Sequence, residues 1–240
     1  MYEPRTYRSY TQSDDLVSFR VTVEETDLFV SCDKDLSREA EVSVLGLRQE
    51  LEDYIKLHPG FKAAIEPLDS KASAPGIVKG MADAAKKTGV GPMAAVAGAF
   101  AERVGKDLLK QSSQVIVENG GDIFISSERP RLIGVYAGKS KFSEKIALNI
   151  SPKDTPCGVC TSSATVGHSL SFGRADAAVV VSSSTLLADA AATSICNRVK
   201  EEGDIDKAIN YAKGIDGIKG VFIIFDNTFG AWGRIKLVDI

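Results

Sequence analysis

The sequence predicts an α+β domain, and three observations predict it. Apolar, β-branched runs cluster near the N-terminus, in the middle and at the C-terminus, where a regular βαβ chain would space them evenly. Between the clusters lie segments with apolar residues at helical spacing. The 240 residues, 44% hydrophobic and 25% charged, suffice for one full-sized core, with no fixed-period repeat and no long linker to divide it. The expectation is one domain over 1–240, with helices packed on mixed β-sheets.

The elements follow in order. Residues 18–23 and 27–31 read as strands, with Phe19, Val21 and Val23 on one face. Ser37 is placed to cap a helix to about Leu57, in which Val44, Leu47, Leu51, Tyr54 and Ile55 share a face. His58-Pro59-Gly60 stops it. A polar connector ends in Pro75, opening a helix to about Lys87. The segment from Gly91-Pro92 through Gly98 to Glu102 is a helix with an almost smooth alanine face, suited to close packing. Its sharp entry leaves free N–H groups where a phosphate could bind, although close packing is the better reading of these residues alone. Strands are expected over 131–136, 145–150, 177–181, 221–225 and 231–238, and helices over 185–199 and after Asp204.

Composition excludes several function classes. A net charge of −3 gives no electrostatic footprint for nucleic acid or an acidic membrane surface. No run reaches membrane-spanning length, and Met1–Arg5 has no apolar signal-peptide core, so a cytoplasmic location is the expectation. The cysteines Cys32, Cys157, Cys160 and Cys196 read as reduced thiols; Cys157-Gly-Val-Cys160 is a lone CxxC with no second pair for zinc. Ala137-Gly-Lys-Ser140 lacks the upstream glycine of a P-loop.

Three stretches carry chemistry. Val115–Ile125 sets two strand-like runs around Asn119-Gly120-Gly121-Asp122, either a hairpin turning at Asn119-Gly120 or a bend that lets a ligand approach the backbone. Residues 155–176 read as a loop that crowds Thr161, Ser162, Ser163 and other hydroxyl residues around Cys160 and His168, a composition suited to a polar, phosphate-bearing ligand. Cys160 is expected to be the most reactive thiol, with Cys32 and Cys196 buried and inert. Asp189 and Thr193, four apart on a helix, can offer two oxygens to Mg²⁺; the alternative is a carboxylate favoured by the helix dipole and a threonine bonded to the preceding turn.

Taken in order, Asn119-Gly-Gly-Asp122-Ile123, Thr161-Ser-Ser163 and Ala188-Asp189-Ala-Ala-Ala-Thr193 resemble the signature blocks of the ApbE-like superfamily, which contains the Mg²⁺-dependent FAD:protein FMN transferases. The likeness is nearest to a short branch without an assigned activity and runs through nearly the whole chain, Val90–Gly98 and His168–Gly173 included. It implies an ApbE-like, T-fold-like domain, Mg²⁺ at Asp189 and Thr193, and FAD or FMN beside Asn119, Gly120, Gly121, Asp122 and Thr161–Ser163. Two blocks depart. Where flavin transferases carry K-G-x-x-x-D this chain has Ala97-Gly98-Ala-Phe-Ala-Glu102, and their H-x-x-D-P-x-T-G has no counterpart after His168.

Three functions follow. The first is Mg²⁺-dependent transfer or hydrolysis of a flavin nucleotide or another phosphate-bearing small molecule, with Asp122 in the catalytic set. The second is a non-catalytic nucleotide-binding module. The third is thiol chemistry with Cys160 as nucleophile and His168 as base. Neither nucleic acid nor membrane is an expected partner, and the sequence leaves the oligomeric state open.

Overall fold

The computed structural model describes residues 11, 13–166 and 171–240. The described residues form two antiparallel sheets and one helical layer. The large sheet has eight strands in the order β1 (Val17–Val23), β2 (Thr26–Cys32), β3 (Val115–Asn119), β4 (Asp122–Ser126), β7 (Cys157–Ser162), β8 (Ala177–Ser182), β9 (Ile218–Phe225) and β10 (Thr228–Gly233). The small sheet has the order β11 (Leu237–Asp239), β6 (Ile146–Ile150), β5 (Arg131–Gly134). The α+β class is as expected, but every ladder between these strands is antiparallel, so the sheets are not mixed.

Strand alternation decides what lies on each face of the large sheet. Val115, Val117, Phe124, Cys160, Val180 and Val221 point to the helices, while Ile116, Ile123, Ile125, Val159, Val179 and Phe222 point to the small sheet. Both faces are therefore apolar, and the central strands read as continuous hydrophobic runs.

The helices are α1 (Ser37–Leu57), α2 (Gly60–Ala63), α3 (Gly76–Thr88), α4 (Val96–Leu108), α5 (Thr185–Arg198) and α6 (Ile205–Lys213). The spacing of apolar residues locates all of them but α2, a single turn after the His58-Pro59-Gly60 stop; the caps differ. Ser37 lies inside α1, and the oxygen that meets its N–H comes from Asp35 at 2.9 Å. Asp204 makes no side-chain cap to α6. Ser184 does cap α5, accepting from Leu187 N–H. Gly89, left-handed at φ 69°, closes α3. A short 3-10 turn over Pro92–Ala95 leads into α4, so the Gly91-Pro92 segment enters the helix in two steps.

Three local expectations are corrected. The hairpin between β3 and β4 turns at Gly120-Gly121, both at positive φ (67° and 101°), with Asn119 and Asp122 as the closing pair. The turn is therefore one residue later than Asn119-Gly120, because two successive positive φ values are cheapest when both residues are glycine. The run expected as a strand over 231–238 breaks after Gly233 (φ 95°): β10 pairs with β9, whereas β11 crosses to β6. The third correction concerns 157–162, expected as a loop and found as a central strand between β4 and β8. Its small residues serve packing. A Cβ on Gly158 would stand 2.4 Å from Thr185 Cα, so glycine there lets α5 rest on the sheet.

Gly158→Ala is expected to lower stability by about 1–3 kcal/mol through overpacking. Gly203→Ala, whose Cβ would meet nothing within 4 Å, should stay within about 0.5 kcal/mol of the parent. Urea unfolding of the two variants measures the contrast, and equal midpoints would remove the packing argument.

Candidate functional site

The site grows from the crossing of α4 and α5. Each helix supplies a carboxylate to the other's start. The Asp189 carboxylate on α5 accepts from Gly98 N–H in the first turn of α4 at 2.7 Å, with the Ala97 amide also contributing. The Glu102 carboxylate on α4 accepts from Thr185 N–H at 2.5 Å and from the Ser184 hydroxyl at 3.3 Å. Amides at a helix start have no partner within the helix, so each carboxylate meets orphan donors and the positive end of a dipole. Gly98 sets the approach: a Cβ there would fall 2.5 Å from Thr185 O and 2.8 Å from Asp189 Cβ. The free amides read from the sequence at the start of α4 are thus taken by Asp189.

The β3–β4 hairpin abuts this crossing. Asn119 donates from its side-chain amide to Ala97 O at 3.1 Å, tying the turn to the start of α4. The buried Glu118 carboxylate accepts from Gly121 N–H at 2.8 Å and fixes the bend. Thr161 O lies 3.9 Å from where a Cβ of Gly121 would be, while the corresponding position on Gly120 faces open space. Asp122, the first residue of β4, is buried beside the Cys160 thiol, the Thr161 amide and the Asp189 carboxylate. Its Oδ1 is buried without a hydrogen-bond partner. An acceptor left in that condition costs free energy unless something else meets it.

Burial pushes both carboxyls up. Asp122 lies well above the ordinary carboxylate range, through burial first and then the nearby Asp189 charge. Burial raises Asp189 to about 7, opposed by the amides of Gly98 and Ala97. Such a pair is protonated more readily than free carboxylates and would ionise fully when a cation reached it.

The structure therefore brings together Asn119, Gly120, Gly121, Asp122, Thr161 and Asp189. Thr193 sits half-buried one turn beyond Asp189. Ser162 is buried beside the Cys196 thiol with no partner of good geometry. Ser163 turns away: its hydroxyl oxygen accepts the Thr165 and Val166 amides in a local turn. His168 lies outside the described residues.

The expected reactivity of Cys160 is overturned. It is fully buried on β7, donates its thiol proton toward Thr185 O at 3.4 Å, and is pushed well above the usual thiol value by burial and by Asp122 and Asp189. Cys32, Cys157 and Cys196 are buried as well, with Cys157 raised to about 12. Cys157 and Cys160 point to opposite faces of their strand, as residues three apart must, so the CxxC is not a dithiol. The close packing read at Gly98 is found, but sequence reasoning missed the role of Glu102. The signal was an acid within the otherwise small and apolar stretch 97–102, which keeps a glycine second and an acid sixth, as K-G-x-x-x-D does.

The fold is one found in flavin transferases. The flavinyl transferase ApbE of Pseudomonas stutzeri superposes with a TM-score of 0.56 at 13% identity, over 91% of this chain and 94% of that one. The ApbE protein of Thermotoga maritima gives 0.58 at 13%, over 90% and 96%. A sequence profile described as "AbpE bacteria" matches residues 8–226, and the chain belongs to that family. A UPF0280 protein of Methanocaldococcus jannaschii is 42% identical over 90% of each chain, and one of Methanospirillum hungatei is 45% identical over 80% of this chain and 77% of its own. No described helix is long and apolar enough to cross a membrane.

The sign of the pH effect follows from the raised carboxyls. The folded chain holds protons that the unfolded chain has released between the ordinary value of 3.8 and about 7. Stability from these groups is thus present at low pH and falls as pH rises through that window. Asp189→Asn should match the parent near pH 4 and exceed it at pH 8 by an amount on the order of a few kcal/mol. Denaturant melts at the two pH values read this, and a variant weaker at pH 8 would show that the carboxylate acts only as a cap. Glu102→Ala should cost about 2 kcal/mol, as loss of a charged helix cap does.

Proposed function

We propose that the chain binds a flavin nucleotide, or another phosphate-bearing small molecule, together with Mg²⁺, and catalyses transfer or hydrolysis at its phosphate. One observation carries this reading: two adjacent buried carboxyls, one with an orphaned oxygen, beside a glycine bend that leaves open space. Membership of the family and the likeness of the fold to flavin transferases support the choice of ligand; fold alone would not.

The donor set suits a hard cation, since Asp189, Thr193 and Asp122 offer only oxygen. Among the described residues no cluster of three or more His, Cys, Asp or Glu could hold a metal, so ligand phosphate or water oxygens must complete the shell. Mg²⁺ held by Asp189 and Thr193 would offset phosphate charge and stabilise a leaving phosphate. Burial and the Asp189 charge push the Asp122 carboxyl up, and positive charge arriving beside it would oppose that shift. Gly120 and Gly121 admit a planar ring or a phosphate to the backbone, and Asn119 and Glu118 hold that bend still. A nucleotide-binding module without chemistry is the second reading, favoured by the missing Asp-Pro block and by the use of the α4 amides for Asp189 in place of a phosphate.

Cation and nucleotide should each tighten the other by the same factor. Calorimetric titration of FAD with and without Mg²⁺, in the parent and in Asp189→Asn, should show Mg²⁺ strengthening the nucleotide about tenfold or more in the parent only. Equal affinity in all four titrations would retire the metal reading. Release of FMN or AMP from FAD then separates the enzyme from the module.

A further inference from the structure

Phe172 sets an exposed ring on a fixed backbone. Its side chain is 58% exposed, and among the described residues no ring or cation packs on it. The backbone, by contrast, is tied to the end of α5. Phe172 N–H donates to Asn197 Oδ1 at 2.7 Å, and Arg174 N–H donates to Val199 O at 2.7 Å. Ser171 Oγ lies 3.3 Å from both Asn197 Oδ1 and Cys196 Sγ. Gly173 permits the approach, since a Cβ there would stand 1.8 Å from Cys196 O. A phenyl ring left in water forgoes the gain of burial. The contacts with α5 account for the backbone of this segment and give the ring nothing to do.

The place of the ring along α5 supplies a use. From Thr185 to Cys196 every residue of α5 is buried except Thr193, and Asn197 is half-buried as well. Asp189, Thr193 and Asn197 stand at i, i+4 and i+8, on one face of the helix. The accessible line along α5 thus runs from the Asp189 corner to the base of Phe172, about 12 Å along the axis. The Cys196 thiol joins the same two regions, with Ser171 on it and Ser162 beside it. Ser162 in turn follows Thr161, which meets the glycine bend. We propose that Phe172 is the stacking platform for the planar ring of a nucleotide whose phosphate lies at Asp189 and Thr193. The sugar or ribityl chain between phosphate and ring bridges the intervening turns of α5. Stacking on an aromatic face favours any planar heteroaromatic ring, so Phe172 selects nucleotides over phosphate-bearing molecules that have no ring. This inference rests on the nucleotide part of the function proposed above and adds the residue that meets the ring.

Calorimetric titration of FAD into the full chain, with and without Mg²⁺, tests it in the parent, Phe172→Ala and Phe172→Trp. Phe172→Ala should bind FAD about tenfold more weakly, while Mg²⁺ tightens FAD by the same factor as in the parent. Its circular dichroism spectrum should be unchanged, because the side chain is exposed. Phe172→Trp should keep the parent's affinity, and FAD should quench its emission beyond the quenching of Trp232, the parent's one tryptophan. FMN and AMP in place of FAD name the ring, since the one that Phe172→Ala weakens is the one that stacks. Equal FAD affinity in the parent and Phe172→Ala overturns the platform, and leaves the metal reading standing if Mg²⁺ still tightens both. FAD that is loosened by Phe172→Ala but indifferent to Mg²⁺ supports the platform and retires the metal. A parent that binds no FAD up to about 1 mM overturns both.

Discussion

The α4–α5 crossing, with its exchanged carboxylates, is the constraint on which the rest of the structure depends. Asp189 reaches the start of α4, and Glu102 reaches the start of α5, across 91 and 83 residues of sequence. Neither helix is complete alone, because the donors at each start are met from the other. The exchange demands close backbones, and that demand explains Gly98 on α4 and Gly158 beneath α5. It also explains the alanines of α5, whose side chains leave room for the sheet below and α4 beside it.

The same constraint creates the site. Holding Asp189 against α4 buries it next to Asp122, which sits at the first position of β4 because the Gly120-Gly121 turn places it there. Two carboxyls in a dry corner oppose each other's ionisation, so the free fold carries electrostatic strain where a cation and a phosphate would relieve it. On the proposed function, the carboxylate that builds the scaffold would also meet the ligand's cation, so changes at Asp189 would move stability and binding together, with signs that pH can separate.

The hydroxyl-rich segment 157–163 shows how composition can mislead. Read as a line of text, its serines, threonine, glycine and cysteines suggest a polar binding loop. In the fold, Gly158, Cys160 and Ser162 are small because they lie under α5, and only the strand's end, at Thr161, reaches the glycine bend. The Cys160 thiol, which has the residue type of a nucleophile, is held neutral by burial and by the acids beside it.

The sequence by itself determined what local chemistry decides. Periodicity marked the helices and most strands to within a residue or two, since apolar spacing reflects which face is buried. Gly-Gly between two β-branched runs called for a sharp bend at positive φ, and apolar spacing from residue 185 marked α5. The ordered blocks 119–123, 161–163 and 188–193 identified the superfamily. Tertiary structure alone decided that β10 and β11 belong to different sheets and that Cys160 is inert. It also decided that Asp189 and Glu102 exchange caps and that Asp122 is left with an orphaned oxygen. Each of these depends on partners brought together from distant parts of the chain, and burial and hydrogen-bond completion are properties of that assembled neighbourhood that no local window contains.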